Sequence, residues 1–298
     1  MSTTDTNTTT ITDNTTGNIK DDIKKELERL QVVKGNDNWK SARETSLFTK
    51  GTINTPTGKR VAYMPSGLLH NKNLQASRGV SVENNTKAED LMPEYEDGMC
   101  LTSIDKLRIN EVDIIFDQLR REIKGGNLNP KLDEIIKYKG MCEFGFRWPR
   151  LMKYYVDNYK CKIRGYDVST TSVLLGQMNG YDTRECDLNI YENNGIDLSD
   201  INFVCMYHVL EHVINPIHTL KMLYDLAEPG TLFHIEVPIE KDRPQPEYGH
   251  LFGFHEGDLP QYCQAVGLKL ISYNYYYYGQ GDVISDRVLA YKPLGAPL

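Results

Sequence analysis

Apolar residues recur along this chain with two different periods, and the change of period divides it. Ile19, Ile23, Leu27 and Leu30 share one helical face, with Lys20, Asp21, Lys24, Lys25, Glu28 and Arg29 on the others. That spacing predicts an amphipathic helix that docks on the rest of the chain or self-associates with a second copy. A second helical stripe comprises Val112, Ile115, Phe116, Leu119 and Ile123, with Asn110 as the expected N-cap and Gly125 and Gly126 as the stop. Leu132, Ile135 and Ile136 predict one more short helix. From residue 139 the text changes: strand-like runs at 141–144, 162–166, 201–207, 231–237, 268–273 and 287–291 are interleaved with helical patterns at 151–158, 171–178, 217–226 and 258–266. This alternation predicts βαβ units, hence an α/β fold with a mainly parallel sheet covered on both faces. The loop around Gly279 and Gly281 is too short for a crossover helix, so the last two strands should be antiparallel.

The residues before this region read differently. Residues 1–18 are nearly all Thr, Asn, Asp and Ser, a composition that buries too little apolar surface to offset its ordering entropy, and a disordered tail is expected. Residues 34–103 are rich in Gly, Pro, Asn and Lys with only short apolar pieces, and read as irregular. The expected organisation is therefore a tail over 1–18, a helical and irregular accessory segment over 19–138, and an α/β domain over 139–298. Composition narrows the function class. Lys and Arg number 34 against 41 Asp and Glu, a net charge of -7 that argues against a non-specific nucleic-acid surface. No apolar run reaches the ~20 residues of a membrane span and no secretory pattern opens the sequence, so a cytoplasmic protein is expected. The six cysteines form no C-x-x-C pair and read as buried free thiols, and no metal site is expected.

In an open α/β sheet, ligands bind beyond the carboxyl ends of the strands, so the residues ending each strand are the candidates for chemistry. Glu143 and Gly145 end the first. Asp167 ends the second about 20 residues later, the separation at which an acidic residue meets a ribose hydroxyl in a nucleotide-binding unit. Asp187 follows at a similar interval, and the fourth strand runs through Met206 and Tyr207 into His208-Val209-Leu210-Glu211-His212. His208-x-x-Glu211-His212 also fits an inverted zinc-peptidase pattern, which requires both histidines well inside a helix. A strand-like run ends immediately before His208, against that reading. Tyr273 and the tyrosines at 275–278 read as an edge strand alternating between core and surface, or as a stacking platform for a sugar or aromatic acceptor.

With these residues in order, the chain resembles the class I S-adenosylmethionine-dependent methyltransferases, in particular the small-molecule branch with a His-Val-Leu-Glu-His sequence after its fourth strand. The resemblance spans about residues 139–292 and includes Pro229-Gly230-Thr231-Leu232, Ile235-Glu236-Val237-Pro238, and a His-and-Phe segment at His250, Phe252 and His255. It implies a Rossmann-like, doubly wound seven-stranded sheet with one antiparallel strand. It also implies S-adenosyl-L-methionine held by Glu143, Gly145, Phe146, Arg147, Asp167, Val168, Asp187, Leu188, Met206, Tyr207 and His208. The acceptor it implies is a small molecule or saccharide, methylated by in-line transfer, with His208, His212, His250 and His255 as candidate bases. The sequence departs from the family at Glu143-Phe144-Gly145-Phe146-Arg147-Trp148-Pro149, which keeps one glycine of three. That erosion leaves open a catalytically inactive protein that uses the fold for binding or assembly.

Overall fold

The computed structural model describes residues 32–33, 48–65, 81–82, 98–128, 130, 133, 135–190, 195–240, 250–278 and 283–295. The expected tail and amphipathic helix, at residues 1–30, lie outside them. The core is a seven-stranded sheet of order β10-β11-β9-β8-β5-β6-β7, formed by β5 (Gly140–Phe144), β6 (Lys162–Asp167), β7 (Asp182–Glu185), β8 (Phe203–Tyr207), β9 (Leu232–Pro238), β10 (Lys269–Tyr278) and β11 (Val283–Tyr291). All pairings are parallel except those of β11, which runs antiparallel to both β9 and β10. The expected sheet is thus observed: seven strands, one of them reversed. Every position of β5 and β9 is buried, the consequence of helices on both faces.

One face of the sheet carries α1 (Ser103–Lys124) and α2 (Arg150–Tyr159), whose Ile109, Val112, Phe116, Leu151, Met152 and Tyr155 pack against Met141, Phe203, Cys205, Leu232 and Leu289. The other face carries α4 (Pro216–Leu226) and α5 (Asp258–Ala265), which set Leu220, Leu223, Leu259 and Tyr262 against Phe144, Val204, Met206 and Phe233. α3 (Thr170–Met178) joins β6 to β7. Burial of each large apolar side chain contributes roughly 1.5–3 kcal/mol, so α1 is held as firmly as helices inside the α/β repeat. Among the described residues no helix is long and apolar enough to cross a membrane. Five cysteines are buried free thiols and Cys100 is exposed.

Several local readings change. α1 begins at Ser103, seven residues before the expected cap, because Thr102 and Asp105 close a capping box that satisfies two orphan donors at once. Asn110 is an exposed position inside the helix. Of the expected short helix, Asp133 lies in a 3-10 turn, and Ile135 and Ile136 follow it, buried in a turn and a bend. β7 escaped prediction because only Thr183 of its four residues is buried, leaving no apolar run to detect. Inside the segment read as irregular, β2 (Phe48–Thr55) and β3 (Gly58–Pro65) form an antiparallel hairpin, and β1 (Val32–Val33) pairs with β4 (Ser81–Val82). The hairpin meets the α/β domain at α5: Arg60 donates to both carboxylate oxygens of Asp258, at 3.2 and 2.9 Å, and Thr57 donates to the same group at 2.6 Å.

Candidate functional site

The site begins at the carboxyl end of β5, where the chain makes a sharp turn. Gly145 has φ +65° and Arg147 φ +49°. A Cβ on Gly145 would lie 2.6 Å from Val209 Cγ2, so a close approach and a left-handed conformation both demand glycine there. Arg147 holds the left-handed conformation despite its side chain, at a cost of roughly 1–2 kcal/mol. Two hydrogen bonds help to fix it: Gly145 N–H donates to the Tyr166 carbonyl at 2.7 Å, and Arg147 N–H donates to Asp167 Oδ2 at 2.9 Å. Ser169 N–H donates to Asp167 Oδ1 at 2.8 Å. The turn after β5 and the carboxylate ending β6 therefore form one unit. Burial raises the Asp167 pKa above its ordinary value, against the lowering by these backbone donors.

Other expected site residues take distinct places. Glu143 is buried, its Oε2 lacks a hydrogen-bond partner among the described residues, and burial pushes its pKa well up. Phe146 turns into the core beneath α2 and leaves only its backbone at the strand ends. Val168 is half-buried. Asp187 Oδ1 accepts from Asn189 N–H at 2.9 Å and from its side-chain amide at 3.0 Å, while Cys186 N–H donates to the Asp167 carbonyl, which ties this turn to β6. Leu188 and Met206 are buried. Tyr207 donates or accepts at 2.7 Å with His234 Nδ1, and the Arg108 guanidinium lies 4.2 Å over its ring.

The second part of the site follows β8. His208, with φ +56°, directs Nε2 to Glu236 Oε1 at 2.9 Å and places Nδ1 3.4 Å from Glu211 Oε1. Burial would lower its pKa, but the two carboxylates outweigh that and push it up to about 9, so the ring is an imidazolium near neutral pH and a donor rather than a base. Residues Leu210–His212 form a single 3-10 turn. No helix presents His208 and His212 on one face, and the inverted zinc-peptidase geometry is not formed. His212 and His250 instead stack edge to face with centroids 4.8 Å apart, and His250 Nδ1 lies 2.6 Å from Glu240 Oε1. His255 is half-buried beside α5, its backbone N–H donating to Asp258.

A buried charge network lies behind these residues. Glu236, fully buried on β9, receives Arg108 Nε at 2.8 Å and Nη2 at 2.9 Å, Arg287 Nε at 2.7 Å, and His208. Arg287 Nη1 continues to Glu111 at 2.6 Å. Burial opposes the charge on Glu236, yet His208 and the two guanidinium groups hold its pKa far below the usual carboxylate range. Sequence reasoning missed this network. Its one local signal is Glu236, which with His234 interrupts the apolar run Leu232–Pro238; Arg108 gave none, since it fell outside the expected helix.

Residues 142–273 match a family model described as a methyltransferase domain. The matched stretch holds Glu143, Asp167, Asp187, His208 and His250. No curated protein matches the chain. Among solved structures, the 1,6-didemethyltoxoflavin-N1-methyltransferase of Burkholderia thailandensis is similar at 15% identity and a TM-score of 0.47, over 78% of this chain and 96% of that one. A SAM-dependent methyltransferase from Methanosarcina mazei aligns at 12% identity and 0.43, over 56% and 99%. The [4+2]-cyclase SpnF aligns at 12% and 0.44, over 56% and 81%. The matched stretch runs from β5 into β10, and α1 packs on the same sheet.

Proposed function

We propose that this chain is a cytoplasmic S-adenosylmethionine-dependent methyltransferase acting on a small molecule or saccharide. The observation that carries the reading is the joined unit of Gly145, Arg147 and Asp167. The turn keeps its left-handed backbone although two of the family's glycines are replaced, and it stays tied to the acid at the end of β6. A carboxylate has acceptor sites for two backbone N–H groups and still for hydroxyls, as the cofactor's ribose requires. Glu143 Oε2, without a hydrogen-bond partner among the described residues, suits the cofactor's ammonium group, whose charge would favour the ionised form that burial opposes. Asp187 and Leu188 would meet the adenine end; Met206, Tyr207 and His208 would line the methionine end.

S-adenosylmethionine supplies an already activated methyl group, so the protein's task is to align an acceptor in line with it and exclude water. Where the acceptor holds a proton tightly, His212, His250 or His255 would take it; His208 is already charged. Two features of the accessory segment support a walled pocket. The hairpin meets Asp258 at the start of α5, on the side of the sheet where ligands bind, and Gly98 presses its backbone against the Trp148 ring beside the β5 turn. A net charge of -7 favours such an acceptor over nucleic acid.

Titration calorimetry with S-adenosylmethionine and S-adenosylhomocysteine tests the reading. Binding is expected, with Asp167→Ala weakening it by at least tenfold, about 1.4 kcal/mol. Absence of binding at about 1 mM ligand, a free energy weaker than roughly 4 kcal/mol, would sink the enzyme and favour the alternative, a non-catalytic binding protein. Arg147 and Pro149 at glycine positions are what favour that alternative.

A further inference from the structure

The turn after β8 and the loop after β9 bring three side chains together that the cofactor does not use. Glu211, His212 and His250 each offer a ligand atom, and the three atoms lie within 4.8 Å of one another. The carboxylate is the telling member. Glu211 has a side-chain exposure of 1%, yet neither Oε1 nor Oε2 has a hydrogen-bond partner among the described residues. His212 Nε2 is 3.7 Å from Oε1, too long for a hydrogen bond and close to the separation of two ligands sharing one ion with metal–ligand bonds of about 2 Å. A buried carboxylate with both oxygens unsatisfied is costly, and a cation between it and two imidazoles removes the cost.

An independent feature lies behind His250. Its Nδ1 is 2.6 Å from Glu240 Oε1, and Glu240 is itself buried. A carboxylate hydrogen-bonded to one ring nitrogen fixes the orientation of the imidazole, the arrangement that positions metal-bound histidines. Backbone contacts hold the two halves in register, since Leu251 and Phe252 N–H both donate to the Glu211 carbonyl. His208 borders this set, with Nδ1 3.4 Å from Glu211 Oε1, and its Nε2 is engaged by Glu236.

We propose that Glu211, His212 and His250 bind a divalent transition-metal ion of the zinc class, with Glu240 orienting His250. The donor set, two imidazoles and one carboxylate, suits such ions and leaves at least one coordination position open. This differs from the expectation, drawn from cysteine spacing, that the chain holds no metal. The site lies beyond the carboxyl ends of β8 and β9, so an ion there would bind an acceptor oxygen and lower its pKa, a role that rests on the methyltransferase reading. Metal binding itself does not rest on it. His212 and His250 then serve as ligands, leaving His255 to accept a proton.

The test uses the untagged full-length chain, stripped with chelator, without cofactor. Zinc titrated by calorimetry and elemental analysis should bind at close to one equivalent. His212→Ala and His250→Ala should each weaken binding by at least 100-fold at unchanged circular dichroism, and Glu240→Gln by about 10–100-fold. Should the Glu211→Gln or alanine variants fail to fold, cobalt substitution of the wild type decides: visible bands of a four- or five-coordinate nitrogen and oxygen site support the assignment. A thiolate charge-transfer band, sub-stoichiometric zinc, or alanine variants that bind as wild type would overturn it. Metal binding without S-adenosylmethionine binding would leave this site standing and remove the proposed activity.

Discussion

At the scale of single residues, the turn after β5 shows how one position can require glycine while its neighbour tolerates arginine. Gly145 is constrained twice, by φ +65° and by Val209 Cγ2 at 2.6 Å from a would-be Cβ. Arg147 carries only the backbone penalty, offset in part by its N–H bond to Asp167. Opposite outcomes follow. Gly145→Ala should destabilise the chain by about 1–3 kcal/mol, partly recovered when Val209→Ala is added, because only the steric half of the cost is removed. Arg147→Gly should raise stability by up to about 1 kcal/mol, limited by the extra backbone entropy of glycine. Thermal unfolding of the three variants measures both. The candidate residues here were legible because strand ends are marked by a change from apolar to polar text, and Asp167 stands at one. That Arg147 would adopt a glycine conformation was not legible, since φ leaves no trace in residue identity.

At the scale of elements, α1 is joined to the sheet by charge as well as by apolar packing. Glu236 stands between Arg108 of α1 and Arg287 of β11, with His208 from the end of β8 as a third donor. Glu236→Gln would leave two buried guanidinium groups with Asp105 beside Arg108 and Glu111 beside Arg287 as the remaining carboxylates. The expected loss is about 3–5 kcal/mol, the cost of breaking a buried pair, read as a lower urea midpoint at unchanged m-value.

β11 supplies a pH effect of definite sign. Asp286 accepts from Gly257 N–H at 2.7 Å and Tyr273 Oη at 2.9 Å; burial, with Glu256 and Asp258 nearby, pushes its pKa up to about 6. A carboxyl group that titrates higher in the folded chain stabilises it below about pH 4, and this contribution is lost as pH rises through about 6. Asp286→Asn, which cannot ionise, should therefore gain stability relative to wild type between pH 4 and pH 8, on the order of 2 kcal/mol. Chemical denaturation at the two pH values gives that difference, and an equal effect at both would remove Asp286 as its source.

At the scale of the whole molecule, residues far apart in sequence meet at the start of α5. The hairpin β2–β3 is anchored there by Arg60 and Thr57 on Asp258, and Ile53 packs on the core. Arg60→Ala should raise amide exchange across residues 52–60 by at least tenfold, about 1.4 kcal/mol of local opening, with β5, β8 and β9 protected as before. Equal loss of protection in those central strands would mean that the hairpin unfolds only with the domain.

Hydrophobic periodicity is a local property that reports which face of an element is buried. For that reason the sequence by itself determined the alternation of strands and helices, the antiparallel end, the edge-strand alternation of Tyr273, Tyr275 and Tyr277, and the carboxyl-end positions of Glu143 and Asp167. It was silent where the signal is polar or distant: β7 has one buried residue, the hairpin lies in Gly- and Lys-rich text, and α1 was placed from a weaker cap than the one it uses. Only the tertiary structure decided which charges meet. Arg108, Glu236 and Arg287 are brought together by strand order, as are Glu211, His212, His250 and Glu240. Electrostatic and metal-ligand partnerships depend on distance in space, which sequence spacing fixes only within an element and strand order fixes between elements.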